Sequence, residues 1–175
     1  MPGQVKAIIP GKFDKKAMLE VLNTEFAKYA PFLTKDFERT TTNWQGEKPK
    51  FTPVVIKGKV ETGEMTLQVR VTGPKKGRDK WKWLNEGTSP HVIKPKGNYP
   101  LRFKSGYTAG SKPNQTFTIR GSSFGPEIRA NEVHHPGFPA RGWSDLIIKE
   151  HETPFYRWMK AAMERAAQAS GHAMK

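Results

Sequence analysis

PVVIKGKVETGEMTLQVRVT, residues 53–72, decides what kind of fold this chain adopts. Two β-branched runs, PVVIKGKVE and EMTLQVRVT, flank Thr62-Gly63, and each roughly alternates polar with apolar residues. Successive side chains of a strand point to opposite faces, so this period-two pattern around a glycine-bearing turn predicts an antiparallel hairpin. On its first strand Val55, Lys57, Lys59 and Glu61 share one face, while Val54, Ile56 and Val60 share the other.

On either side of the hairpin the period lengthens. In DKKAMLEVLNTEFAKYA, residues 14–30, Met18, Leu22, Phe26 and Tyr29 recur at helical spacing, with Asp14 as N-cap. Pro31 is expected to interrupt that helix, leaving PFLTKDFERT as a second helical piece and TTTNWQGEKPKF as a connector. At the other end, Thr153-Pro154 reads as N-cap and first turn of a C-terminal helix over 153–170. Phe155, Trp158, Met159, Ala162 and Ala166 form its apolar stripe, and Gly171 ends it. SDLIIKEHE before it reads as another turn or two capped by Ser144. YPLRF and TFTIRG are further short strands, separated by SGYTAGSKPNQ. SSFGPEIRANEVHHPGFPARGW reads as irregular apart from a short strand around Glu132 to His134. The order helix, strands with long loops, helix predicts an α+β fold: a short, mainly antiparallel sheet packed against an N-terminal and a C-terminal helix.

Length and composition fit that outline. A chain of 175 residues suits a single domain, with residues 1–13 as an N-terminal arm and 105–131 as an extended loop region. Hydrophobic content of 35% with Gly 16 and Pro 14 points to many turns and long loops around a compact core. Cys 0 excludes disulfides and thiolate metal sites. No apolar run reaches signal-peptide or membrane-spanning length, so a soluble protein made in a cytosol is expected. The net charge of +14 is the strongest global feature and marks an anionic partner: nucleic acid, a membrane surface or an acidic protein.

WKWLNEGTSPHVIKPKGNYPLRF, residues 81–103, holds Glu86, Ser89 and His91 within six positions, which superficially suits a hydrolase. Catalytic groups normally converge from separate elements, and no nucleophile-elbow pattern surrounds Ser89, which Pro90 biases towards extended backbone. Glu-Gly-Thr-Ser-Pro reads instead as a sharp reversal between two extended segments. His134 and His135 raise a metal site with Glu127 or Glu132, but neighbours on a strand face opposite ways. One histidine is expected to pack and the other to hydrogen-bond to the Pro136-Gly137 turn. Neither GxGxxG nor a Walker loop is present. In KKGRDKWKW, read as a basic turn, Lys75, Lys76, Arg78, Lys80 and Lys82 lie beside Trp81 and Trp83. Charge interleaved with stacking surface suits single-stranded nucleic acid, and a strand would put both indoles on one face.

These landmarks occur in a recognisable order: Trp83-Leu84-Asn85-Glu86-Gly87-Thr88, then His91-Val92-Ile93-Lys94-Pro95-Lys96, then Leu101-Arg102-Phe103, then His134-His135-Pro136-Gly137. That order resembles the neck or tail-completion proteins of long-tailed bacteriophages, the lambdoid tail-component family. The resemblance covers roughly residues 80–140, and the segment from Ser105 to Arg129 is longer than the family pattern. It implies a structural virion protein, not an enzyme, with no metal or cofactor and no membrane contact. Copies would form a homo-oligomeric ring at the head–tail junction, assembled in the host cytoplasm. The ring would meet head connector or adaptor proteins on one side and the tail terminator or tail tube protein on the other. Glu86, Gly87, Thr88, Pro136 and Gly137 would set loop geometry for assembly. Lys75, Lys76, Arg78, Lys80 and Lys82 would contact an acidic partner or, non-specifically, the packaged DNA. The alternative is a non-specific nucleic-acid-binding module using residues 75–83.

Overall fold

The computed structural model describes residues 4–8, 15–57 and 64–169. Three helices and short antiparallel sheets give the expected α+β fold. The chain gathers into two compact units, each discontinuous in sequence, where length alone suggested one domain. Unit 1 takes residues 1–38, 50–72 and 144–175; unit 2 takes 39–49 and 73–143.

Unit 1 is built on the hairpin and the two long helices. Strands β2 (Lys50–Lys57) and β3 (Glu64–Thr72) pair antiparallel, as the alternating pattern predicts, with Val55 opposite Leu67; the expected turn residues Thr62 and Gly63 lie outside the described residues. A third strand, β1 (Gln4–Ile8), pairs with the other edge of β3. The expected N-terminal arm is therefore partly sheet. Its five residues are too few for periodicity to register as a strand. With the order β1-β3-β2, only β3 is central, and it carries the buried face through Met65, Leu67 and Val69. β2 is an edge, which is why Pro53 is tolerated within it.

Helix α1 (Lys15–Arg39) is continuous through Pro31, and α3 (Trp143–Ala169) is continuous through Pro154. Both contradict the sequence reading, in which each proline bounded a helix, and Thr153 is a mid-helix residue rather than an N-cap. An internal proline deletes one backbone hydrogen bond and costs about 3 kcal/mol. Both rings lie on exposed faces, so they displace nothing from the core. Met18, Leu22, Phe26, Leu33 and Phe37 of α1 are all at most 2% exposed, and burying that many large side chains outweighs the loss. Phe37 meets Phe51 of β2 at 5.6 Å, while Phe26 and Tyr29 meet Phe155 of α3 at 5.5 and 5.1 Å. One stripe of α1 thus packs on the sheet and on α3 together.

Polar contacts fasten the two helices. The Tyr29 hydroxyl lies 2.8 Å from Nδ1 of buried His151, and Nε2 of that ring lies 2.8 Å from Asp36 Oδ2. With Nε2–H donating to the carboxylate, Nδ1 accepts the phenol proton, and every member of the chain is satisfied. Burial, then the Asp36 charge, pushes the Tyr29 phenol up. Glu25 is held by Lys28 at 2.8 Å and by Arg165 of α3 at 3.2 Å. Burial alone pushes its carboxyl up, but Lys28, Arg165 and the Trp158 indole outweigh burial and hold it below the ordinary value.

Two outcomes follow for unit 1. Leu33→Ala, at a site with no exposure, should lower unfolding free energy by about 2–5 kcal/mol in urea titration. Because folding depresses the Glu25 pKa, its stabilisation is complete above the unfolded value and is lost as pH falls through the folded one. Glu25→Gln should therefore be less stable than wild type at neutral pH and lose less on acidification below about pH 5.

Candidate interaction surface

Unit 2 begins where the sequence reading goes furthest astray. The stretch taken for a basic turn is helix α2 (Lys75–Glu86), with Arg78 N–H donating to the Pro74 carbonyl at 3.1 Å. Gly77, which made the stretch look like a turn, is in fact a contact residue. A Cβ there would come within 2.7 Å of the Lys48 carbonyl carbon, so glycine lets the helix lie against residues 48–49. Residues two apart on a helix face opposite ways, so Trp81 and Trp83 separate instead of sharing a face. Trp81 is buried, donating to Thr40 Oγ1 at 2.9 Å and lying 6.0 Å from Trp143. Trp83 is 55% exposed. Of the predicted cations, Lys80 lies over the Trp44 ring at 4.2 Å and Lys82 is 4.0 Å from Glu86. Lys75, Lys76 and Arg78 project from the exposed first turn.

The predicted loop residues meet at one junction. α2 ends at Glu86, and Gly87 turns the chain at φ +79°, so the segment joins a helix to a strand and does not reverse between two extended segments. Thr88 and Phe138 then exchange both backbone hydrogen bonds, at 3.0 and 3.2 Å. Gly137, at φ +77°, has the Thr88 carbonyl oxygen where a Cβ would be, and a Cβ on Gly87 would come within 2.7 Å of Ala140 N. Two chain segments cross so closely that glycine is required on both. The same second segment closes α2: Arg141 N–H and Gly142 N–H donate to the carbonyls of Leu84 and Asn85. Glu86 itself is exposed beside Lys82.

Strands β4 (His91–Ile93) and β7 (Val133–His135) pair with His91 opposite His135, and the two imidazoles stack at 5.0 Å. β7 falls one residue from its expected place. His135 takes both roles that were divided between the two histidines: it packs on His91 and accepts from Gly137 N–H at 3.0 Å. His134 is exposed and 2.9 Å from Glu132, which Lys94 also meets at 3.1 Å. Lys94, then His134, holds the Glu132 carboxyl below its ordinary range. His91 Nδ1 lies 2.9 Å from the Ser89 carbonyl, not its hydroxyl. Among the described residues no three His, Asp or Glu side chains are grouped to hold a metal.

The region expected to be an extended loop over 105–131 contains half of a long ribbon. β5 (Leu101–Thr108) runs past YPLRF, and β6 (Ser122–Ala130) lies in the stretch taken as irregular. Gly125-Pro126 hid β6, because both residues read as strand breakers. The register shifts there by one residue, a bulge that lets the ribbon absorb Gly125 at φ +81°. TFTIRG forms no strand; it belongs to a connection held by hydrogen bonds from other segments of unit 2. Trp143 Nε1 donates to the Gln115 carbonyl at 2.8 Å, buried Arg141 donates to Ser111 Oγ at 3.2 Å, and the Asn43 amide donates to the Thr118 carbonyl. Burial lowers the Arg141 guanidinium from its ordinary value.

Sorting residues by unit separates scaffold from surface. Of the 19 buried hydrophobic residues among those described, unit 2 holds two, Trp81 and Trp143. Of 13 exposed large hydrophobics among the described residues it holds ten, including Phe103, Tyr107, Phe124 and Ile128 of the ribbon. It also holds 15 of the 30 basic residues but only five of the 16 acidic ones, hence +10 of the net +14. No signal in the sequence announced this division, since unit 2 is assembled from two separated segments. No protein-family model, curated protein or solved structure matches the chain.

Gly137→Ala should destabilise unit 2, because the added methyl meets backbone that cannot retreat without breaking the Thr88–Phe138 bridge. A loss of about 1–3 kcal/mol is expected by thermal melting. Gly46→Ala is the matched control for positive φ alone, since it has nothing within 4 Å of the added atom.

Proposed function

We propose that this chain is a structural protein of the head–tail junction of a long-tailed bacteriophage. Copies assemble as a ring that joins the head connector to the tail terminator or tail tube. The observation that carries this reading is the imbalance of unit 2, which buries two large hydrophobics and leaves ten exposed. A monomer rarely leaves so much apolar side chain in water; such a surface is completed by a partner. Unit 1, by contrast, closes an apolar core of its own. The resemblance to neck proteins gains support from the meeting of its two best-marked motifs. Glu86-Gly87-Thr88 and His135-Pro136-Gly137 are some fifty residues apart in sequence yet form one junction around the Thr88–Phe138 bridge. Acidic partner rings, or DNA in the channel, suit the charge of unit 2.

A second reading is favoured by one feature, the exposed Trp83 on the lysine-rich α2. It makes the chain a non-specific nucleic-acid-binding module acting without a ring. Deleting the gene from its phage and imaging the lysate by negative stain separates the two. Filled heads beside finished, detached tails are expected; intact infectious particles would overturn the junction reading.

A further inference from the structure

The β5–β6 ribbon sorts its side chains by charge. β5 alternates without a break, so Leu101, Phe103, Ser105 and Tyr107 share one face, and Arg102, Lys104, Gly106 and Thr108 share the other. The register carries this division across to β6. Leu101 lies opposite Ala130, Phe103 opposite Ile128 and Tyr107 opposite Ser123, so the first face holds no Asp, Glu, Lys, Arg or His. On the second face Arg102 lies opposite Arg129 and Lys104 opposite Glu127, and Phe124 is laid across Gly106. All the charge of the ribbon stands on that side. The uncharged face is open: of the whole ribbon only Leu101, Gly106 and Ala130 are half-buried, and every other residue is exposed. Phe103 is 40%, Ile128 39% and Tyr107 72% exposed. A two-stranded ribbon with both faces in water is marginal on its own, so a surface that covers its apolar face stabilises it.

From this segregation we infer that the uncharged face of the ribbon is a contact between two copies of the chain, each presenting the same face to the other about a two-fold axis. Charge selects that occupant. A chain of net charge +14 repels its own copies, and most of that charge sits on unit 2. This face is the side of the ribbon on which two copies meet without setting cation against cation. A nucleic acid or an acidic protein is drawn instead to Arg102, Lys104 and Arg129 on the reverse side. The face is also its own chemical complement. Hydroxyls of Ser105, Tyr107 and Ser123 both donate and accept, so they can pair with those of a second copy, and the apolar side chains need only one another. Two ribbons packed in this way lie about 10 Å apart, as stacked sheets do. Strands of this length cover less than the roughly 800 Å² per partner of a standard interface, which makes the pair weak and dependent on concentration. The inference concerns the free chain and does not rest on the junction reading.

The test is sedimentation velocity on the nuclease-treated full chain, from about 5 to about 500 µM, at low and high salt. A shift from monomer to dimer is expected, and salt should strengthen it by screening the like charges. Phe103→Asp and Ile128→Asp should each weaken the pair at least about tenfold, although both lower the net positive charge. Arg102→Gln with Lys104→Gln should leave it intact or tighter. A monomer throughout the range, or a dimer lost in high salt, would overturn the proposal. Because the chain has no cysteine, a single engineered one reports which face is in contact without disturbing it. Ser105→Cys and Lys104→Cys differ by one position and stand on opposite faces. A short bismaleimide should crosslink the first into dimers and not the second. Crosslinking through Lys104→Cys, through both or through neither overturns the two-fold contact. Rings in sedimentation without a Ser105→Cys crosslink would do so while leaving the junction reading in place.

Discussion

Helix α1 is buried on two sides, and unit 1 depends on that. Its stripe from Met18 to Phe37 meets the sheet at Phe51 and α3 at Phe155, so neither the three-stranded sheet nor α3 has a core without it. A sheet of three short strands with one buried face is marginal alone, and a long helix interrupted by proline is more so. Packed around α1 they support one another. The same packing buries Tyr29 and His151 and brings the half-buried Asp36 within reach, so three side chains form a satisfied hydrogen-bonded chain joining α1 to α3.

Unit 2 solves the opposite problem with other means. It has almost no apolar core, so directional contacts hold it: indole N–H groups on Thr40 and Gln115, a buried guanidinium on Ser111, and a backbone crossing that only glycines permit. Such contacts fix geometry without consuming apolar surface. The large side chains of β4, β5, β6 and the 109–121 connection are left facing outward. A surface of that kind combines freely with the cations that crowd the same unit.

The proposed assembling role would draw on this division: a closed core in unit 1 and a charged, aromatic, partly apolar surface on unit 2. Within that surface the cations are not equivalent. On α2, Lys80 and Lys82 are engaged with Trp44 and Glu86, whereas on β5 Arg102 and Lys104 share one face and make no salt bridge among the described residues. The residues that looked most like a binding motif in sequence are thus partly occupied in folding the helix. Less conspicuous ones stand on the ribbon.

The sequence by itself determined the periodicity-driven parts. The antiparallel β2–β3 pair, the apolar stripes of both long helices and the α+β order were legible because local spacing encodes which face is buried. Catalytic use of Glu86, Ser89 and His91 was weighed and set aside on the same local grounds. Only the tertiary structure decided the rest. Pro31 and Pro154 sit within helices because burial elsewhere outweighs a lost hydrogen bond, a balance no local pattern records. Gly77 lies in a helix because a neighbouring segment needs its space, and Gly125-Pro126 lies in a strand because a bulge absorbs it. β1 exists only through its pairing with β3. The uncharged face of the ribbon brings together side chains from both ends of a long connection, and their proximity follows from strand pairing, which period and composition do not contain.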